Sequence, residues 1–183
     1  MIKSLYPIFQ HWSAKGSVFI YSDTHFDDPD CKLMDSNWPE SEEQIKTLKQ
    51  YCHKNDTLIL LGDIGNPQYI EQLKCYKVLI LGNHDQSATK FKPYFDEIYT
   101  GPLIISDKII LSHEPLPQIP YLFNIHGHDH SKWTQKDFNK LNVCSNVIGY
   151  RPLNLGALIK DGLISNVPTI HRWTIDEVGL NGK

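Results

Sequence analysis

Five short clusters in this 183-residue chain combine carboxylate, imidazole and amide side chains. They are Asp23-Thr24-His25, Gly62-Asp63, Gly82-Asn83-His84-Asp85, Ser112-His113 and Gly127-His128-Asp129-His130. Asp23 and His25 stand two residues apart, as do His128 and His130, so on an extended strand each pair shares a face. Asp63, Asn83 and His113 are single donors from separate segments. Oxygen and nitrogen donors without a thiolate suit Mn²⁺, Fe, Zn²⁺ or Ni²⁺ and argue against a sulfur-rich structural zinc site. The seven candidates Asp23, His25, Asp63, Asn83, His113, His128 and His130 exceed what one tetrahedral ion needs. If Asp63 bridges, each of two ions receives four protein ligands, with positions open for water and substrate. A lone Gly-Asp or strand-end histidine is an ordinary turn or loop feature. Five such clusters in order, each ending a strand-like run, are hard to obtain by accident.

The elements that would position them can be read from the apolar pattern. "SVFIYSD", "TLILLGD" and "KVLILGNHD" carry the continuous apolar runs of strands buried on both faces. Between the first two, "ESEEQIKTLKQYCHKND" sets Ile45, Leu48 and Cys52 at helical spacing, with Ser41 and Gln44 as a capping box. "NPQYIEQLK" opens a second helix, with Asn66 as its cap and Pro67 at its first position. This strand–helix alternation makes the three strands parallel. Their polar clusters then fall at the carboxyl ends, the edge where open α/β sheets bind ligands. Further on, "PLIISDKIILSH" reads as a hairpin turning at Ser106-Asp107, and "YLFNIHGHDH" and "LNVCSNVIG" as strands. The segments bearing His113 and His128 are expected to be antiparallel. "NLGALIKDG" reads as a short helix and "TIHRWTID" as a last strand. Gly62, Gly82 and Gly127 each precede a candidate ligand, where converging strand ends require close backbone approach.

The length suits one domain, 1–183, with one sizeable core. A net charge of −3 gives no broad basic surface for nucleic acid and leaves room for a local phosphate site. Cys31, Cys52, Cys75 and Cys144 form no CxxC and read as small core hydrophobes in a reducing compartment. The N-terminus lacks the apolar core of a signal peptide, and no run approaches the ~18 apolar residues of a membrane span. A cytoplasmic protein with no membrane partner is expected.

In order, the clusters read "DTH", "GD", "GNHD", "SHEP" and "GHDH". With them the chain resembles the calcineurin-like metallophosphoesterase superfamily, and "SDTHF" with the later "NVCSNVIGYRPLNL" looks like its small single-domain bacterial or phage type. The resemblance implies a four-layer α/β/β/α sandwich of two mixed β-sheets flanked by helices. It implies two divalent ions, Mn²⁺ being the first expectation. Asp23, His25, Asp63 and His130 would hold one ion, and Asp63, Asn83, His113 and His128 the other. The implied reaction is hydrolysis of a phosphodiester, or also a phosphomonoester, by a hydroxide between the ions. His84 would act as the acid toward the leaving group, with Asp85 as local support. A small phosphate ester or nucleotide-like substrate is expected, and no extended nucleic acid. Alternatives are a phosphomonoesterase or nucleotide phosphatase, and a catalytically silent metal-binding scaffold.

Three places depart from the pattern or stand beside it. "GDIGNPQ" lacks the later Asp and Arg of the protein phosphatases, which argues against that activity and leaves the carboxylate partner of His84 open. Asp27-Asp28 replaces a Gly-His frequent in the subgroup, as a solvated loop or as groups behind the metal ligands or at the rim of the site. Tyr150-Arg151 is a candidate substrate contact or a turn. Trp38 reads as a core or loop anchor before a base-stacking residue, and His126 as packing before catalysis. His11, His53 and His171 lie outside every cluster.

Overall fold

The three apolar runs form the middle of a five-stranded sheet. The computed structural model describes residues 3–4, 6–131, 136–137 and 139–168. In chain order its strands are β1 (Lys3–Ser4), β2 (Val18–Tyr21), β3 (Thr57–Leu60), β4 (Tyr76–Ile80), β5 (Glu97–Tyr99) and β6 (Leu103–Ile104). There follow β7 (Ile109–Leu111), β8 (Phe123–His126), β9 (Lys136–Asp137), β10 (Lys140–Asn142) and β11 (Leu153–Asn154). The helices are α1 (Tyr6–Ser13), α2 (Cys31–Met34), α3 (Ser41–Tyr51), α4 (Ala88–Phe91) and α5 (Leu155–Lys160), with a 3₁₀ turn at Pro67–Gln72. One sheet runs β11-β2-β3-β4-β5 and the other β1-β6-β7-β8-β10-β9. In the first, β2 to β5 are parallel and β11 is antiparallel. In the second, β6–β7 and β10–β9 are antiparallel and the other pairs parallel. Two mixed sheets flanked by helices, an α/β fold, are therefore as expected.

Strand alternation sorts the core into two layers. Phe19, Tyr21, Leu58, Leu60 and Leu79 face Ile45 and Leu48 of α3, Ile70 of the 3₁₀ turn and Phe91 of α4. Val18, Ile20, Ile59, Leu61, Val78 and Ile80 face the second sheet, meeting Leu103, Leu111, Phe123, Ile125 and Leu141. Each fully buried aliphatic or aromatic side chain contributes about 1.5–3 kcal/mol. The core thus holds the strand frame rigid while the loops at its carboxyl edge take less favourable conformations.

Several expectations are corrected. Ser41 and Gln44 do not cap α3, whose N-cap is Glu40 without a side-chain bond. Instead Ser41 Oγ accepts the Asp27 N–H, and buried Gln44 donates to the Thr24 carbonyl and accepts from Tyr21. Both residues secure the loop after β2. Asn66 does cap the next element, which is 3₁₀ rather than α. Strands β7 and β8 pair parallel, not antiparallel, with a non-helical crossover between them. The short edge strands β5 and β11 carry too little apolar pattern to be read from sequence. The expected strand at "TIHRWTID" lies outside the described residues.

The sheets approach each other at the carboxyl edge. Ser22, after β2, bridges Cys144, after β10. The Ser145 N–H donates to the Ser22 carbonyl at 3.0 Å, and Ser145 Oγ to the Asp23 carbonyl at 2.7 Å. All five polar clusters meet on this seam.

Candidate metal centre

The clusters sit just past their strands, in turns. Asp23, His25, Asp63 and His128 all adopt positive φ, at 57°, 44°, 52° and 67°. Left-handed non-glycine residues cost about 1–3 kcal/mol each and concentrate at functional sites. Asp23 and His25 therefore come together through a turn, not by sharing a strand face. Gly62, at φ 94°, lets the β3 and β4 ends touch, because a Cβ there would lie 2.5 Å from the Gly82 nitrogen. At Gly127 a Cβ would fall 2.0 Å from Ser22 Oγ and 2.3 Å from Asp23 Oδ2. These approaches draw donor atoms from both sheets into one group.

Two sets of ligand atoms result. Asp23, His25 and His130 form one, with His130 Nε2 3.6 Å and His25 Nε2 4.0 Å from Asp23 Oδ1. Asp63, His113 and His128 form the other. Asp63 Oδ2 lies between the sets, 3.9 Å from His25 Nε2 and 3.4 Å from His113 Nε2. Asn83 Oδ1 joins the second, 2.7 Å from His113 Nε2 and 3.0 Å from His128 Nδ1. The seven candidates are thus brought together by the fold.

Their outer atoms are held in place. His113 Nδ1 donates to the Leu61 carbonyl at 2.6 Å. His130 Nδ1 donates to Asn146 Oδ1 at 3.0 Å, because the Asn146 amide nitrogen donates to the His130 carbonyl. His25 Nδ1 faces Asp28 Oδ2 at 3.1 Å. In each ring this directs Nε2 inward, the tautomer a metal ligand requires. Asp23 Oδ2 accepts the His128 N–H and the Cys144 thiol, leaving Oδ1 to face the centre. Among the described residues, Asp23 Oδ1 and His25 Nε2 are buried without a hydrogen-bond partner. Two buried electron-pair donors turned toward each other are costly unless a cation lies between them. The donor set therefore fits divalent ions.

Burial and neighbouring charge oppose each other at His113 and Asp63. Burial acts to lower the His113 pKa, but its hydrogen bond to Asp63 and the Asp23 and Asp63 charges outweigh this and raise it to about 9. Burial acts to raise Asp63, and the His113 bond and charge reverse that, leaving it below the usual carboxylate range. The buried Cys144 thiol is pushed up by desolvation and by the Asp23 charge, so it remains a neutral donor.

The family model of calcineurin-like phosphoesterases matches residues 16–174. The chain belongs to the calcineurin-like phosphoesterases. No curated protein matches it. Among solved structures it is similar to the protein of unknown function AQ665 from Aquifex aeolicus, at 25% identity and TM-score 0.66. That match covers 79% of this chain and 98% of the other. The Pseudomonas putida nuclease MPE matches at 21% identity and TM-score 0.46, over 61% of this chain and 59% of its own.

Within this calcineurin-like frame the other candidates fall into place. The imidazole of His84 is exposed beside the centre, its ring 5.8 Å from that of His25, while the backbone N–H of His84 donates to Asp63 Oδ1 at 2.9 Å. Asp85, expected beside His84 as local support, is buried. Its carboxylate accepts the N–H groups of Asp63, Ile64 and Gly82 at 2.9, 3.0 and 2.9 Å. Asp85 is therefore a positioning residue that fixes both ligand loops. Tyr150 donates its hydroxyl to Asp35 and packs on Trp38, while Arg151 is exposed. Trp38 is buried and packs edge-on or tilted against His25 and His130, forming a wall of the site. His126 is buried with Nδ1 donating to the Gly127 carbonyl, a packing role. Asn146 and Cys144 were not foreseen; their only signal was the "NVCSNVIGYRP" stretch. None of the helices among the described residues is long and apolar enough to cross a membrane.

Proposed function

We propose that this calcineurin-like protein is a metal-dependent phosphoesterase that hydrolyses small phosphodiesters, monoesters being a secondary substrate. One observation carries the reading: Asp63 Oδ2 stands between two sets of inward-facing ligand atoms. Asp23, His25, Asp63 and His130 would hold one ion, and Asp63, Asn83, His113 and His128 the second, with Mn²⁺ the first candidate. Bound there, such ions supply charge neutralisation for a phosphate and a lowered pKa for water.

The chain's own residues do the rest. Asn83 and the histidines would hold the ions against which a phosphate is placed. The His84 imidazole, which makes no hydrogen bond among the described residues, is free to give its proton to the leaving oxygen. General acid catalysis of this kind is worth about 10²–10⁴-fold. Trp38 covers one side and keeps bulk water from His25 and His130.

The preference for diesters follows from charge and space. Asp28, Asp35 and Glu114 lie around the site, so a dianionic monoester meets more repulsion than a diester. A cavity of about 300 Å³ lined by Asn83, His113, Pro102 and Leu116 lies beside the second ligand set and has room for a second ester group. The basic cluster Lys15, Lys54, Lys74 and Lys77 surrounds a different cavity, next to the amino ends of β3 and β4. That disfavours a long nucleic acid laid across the site. Four free, buried cysteines suit a reducing, cytoplasmic setting, and the chain is read as a single domain.

The test is kcat/KM for bis-p-nitrophenyl phosphate against p-nitrophenyl phosphate with Mn²⁺, each divided by its metal-only rate. A higher normalised value for the diester is expected, and a clear monoester preference overturns it. In parallel, Asp63→Asn should lose metal from both sites. Two fully occupied sites in that variant would refute the bridging role.

A further inference from the structure

We infer that Asp28 is a positioning residue for His25 and strengthens the ion held by Asp23, His25 and His130, but not the other ion. The inference rests on the metal reading above and concerns a residue that the family motifs do not include.

A carboxylate can only accept, so the Asp28 Oδ2 contact at 3.1 Å requires the proton of His25 to sit on Nδ1. In the neutral ring the lone pair is then on Nε2, which is buried, without a hydrogen-bond partner among the described residues, and near Asp23 and Asp63. Asp28 is itself held. Its Oδ1 accepts the Asp30 N–H at 3.0 Å, and its own N–H donates to the His25 carbonyl at 3.1 Å. Asp27 makes the same turn possible from the other side, at φ 60°, accepting from Ser41, Asn66 and Tyr69. The carboxylate of Asp28 is therefore fixed against the ring and not merely near it.

The two ligand sets differ in this respect. His113 and His130 rest on neutral acceptors, the Leu61 carbonyl and the Asn146 amide. Among the described residues, His25 instead rests on an anion, the Asp28 carboxylate. A carboxylate behind an imidazole raises its basicity as a ligand and fixes its orientation, and losing such a partner weakens metal affinity about 10–100-fold. The effect belongs to the ion that His25 touches.

The experiment is calorimetric titration of Mn²⁺ and Zn²⁺ into metal-stripped wild type, Asp28→Ala and Asp28→Asn. Asp28→Ala should weaken one of two binding steps by about 10–100-fold and leave the other unchanged. Asp28→Asn retains an acceptor oxygen and the Asp30 contact, so it should fall between. In Zn²⁺-loaded wild type, imidazole nitrogen NMR should place the His25 proton on Nδ1. Equal affinities in all three proteins, or both steps weakened alike, overturn the inference while leaving the metal centre standing. Wild type that binds no divalent ion overturns both.

Discussion

His84 is the side chain on which the chemical reading turns, because it stands beside the ligands without being needed to complete either set. Its backbone N–H is tied to Asp63, while its ring remains exposed. His84→Ala should therefore retain both ions and lose turnover. For an ester whose alkoxide must be protonated, the loss should be about 10²–10⁴-fold. For a nitrophenolate, which leaves unaided, it should be much smaller. Metal content by elemental analysis, with rates on the two esters, checks this. Equal losses on both esters, or loss of metal, would show that His84 serves the centre in another way. At this scale the sequence was informative, because ligand types and their order survive folding unchanged. What it hid was conformation. The two-residue spacing of Asp23 and His25 suggested a shared strand face, whereas both residues lie in left-handed turns.

At the scale of elements, long apolar runs were legible because burial on both faces leaves no alternative pattern, and β2, β3 and β4 are parallel as they imply. The parallel pairing of β7 with β8 was hidden, since their crossover contains no helix to signal it. Ser41 and Gln44 misled for a related reason. Residues that commonly cap a helix are here engaged with the neighbouring loop, and only tertiary contacts reveal that. Asp85 shows the same principle at the site. Adjacent to His84 in sequence, it joins the β3 and β4 loops by accepting three backbone N–H groups. Burial acts to raise its pKa and these donors oppose it. Asp85→Ala leaves the three donors unsatisfied, each at about 1–3 kcal/mol. A loss of at least about 3 kcal/mol is expected, which for a chain this size lowers Tm by roughly 6–12 °C. Asp85→Asn, keeping an acceptor oxygen, should lose less. A wild-type Tm in Asp85→Ala together with abolished turnover would instead restore a direct catalytic role.

Across the whole molecule, two well-packed hydrophobic layers support a seam that is locally unfavourable. Asp23, His25, Asp63 and His128 occupy left-handed conformations, and Asp23 Oδ1 and His25 Nε2 are buried without a partner among the described residues. Divalent ions would bind the assembled seam and have little affinity for the unfolded chain, where the seven donors are scattered from residue 23 to residue 130. Their binding free energy therefore adds to folding stability by mass action, about 2.7 kcal/mol per site at a hundredfold excess over Kd. At roughly 2–4 °C per kcal/mol, each site filled should raise Tm by about 5–10 °C. Thermal unfolding in Mn²⁺, compared with the same protein in excess chelator, measures this directly. Asp63→Asn should lose most of the difference, and His84→Ala should keep it. The contrast separates the two residues without any assay of turnover. A Tm indifferent to both ion and chelator would mean that the strained seam is held for some purpose other than binding cations.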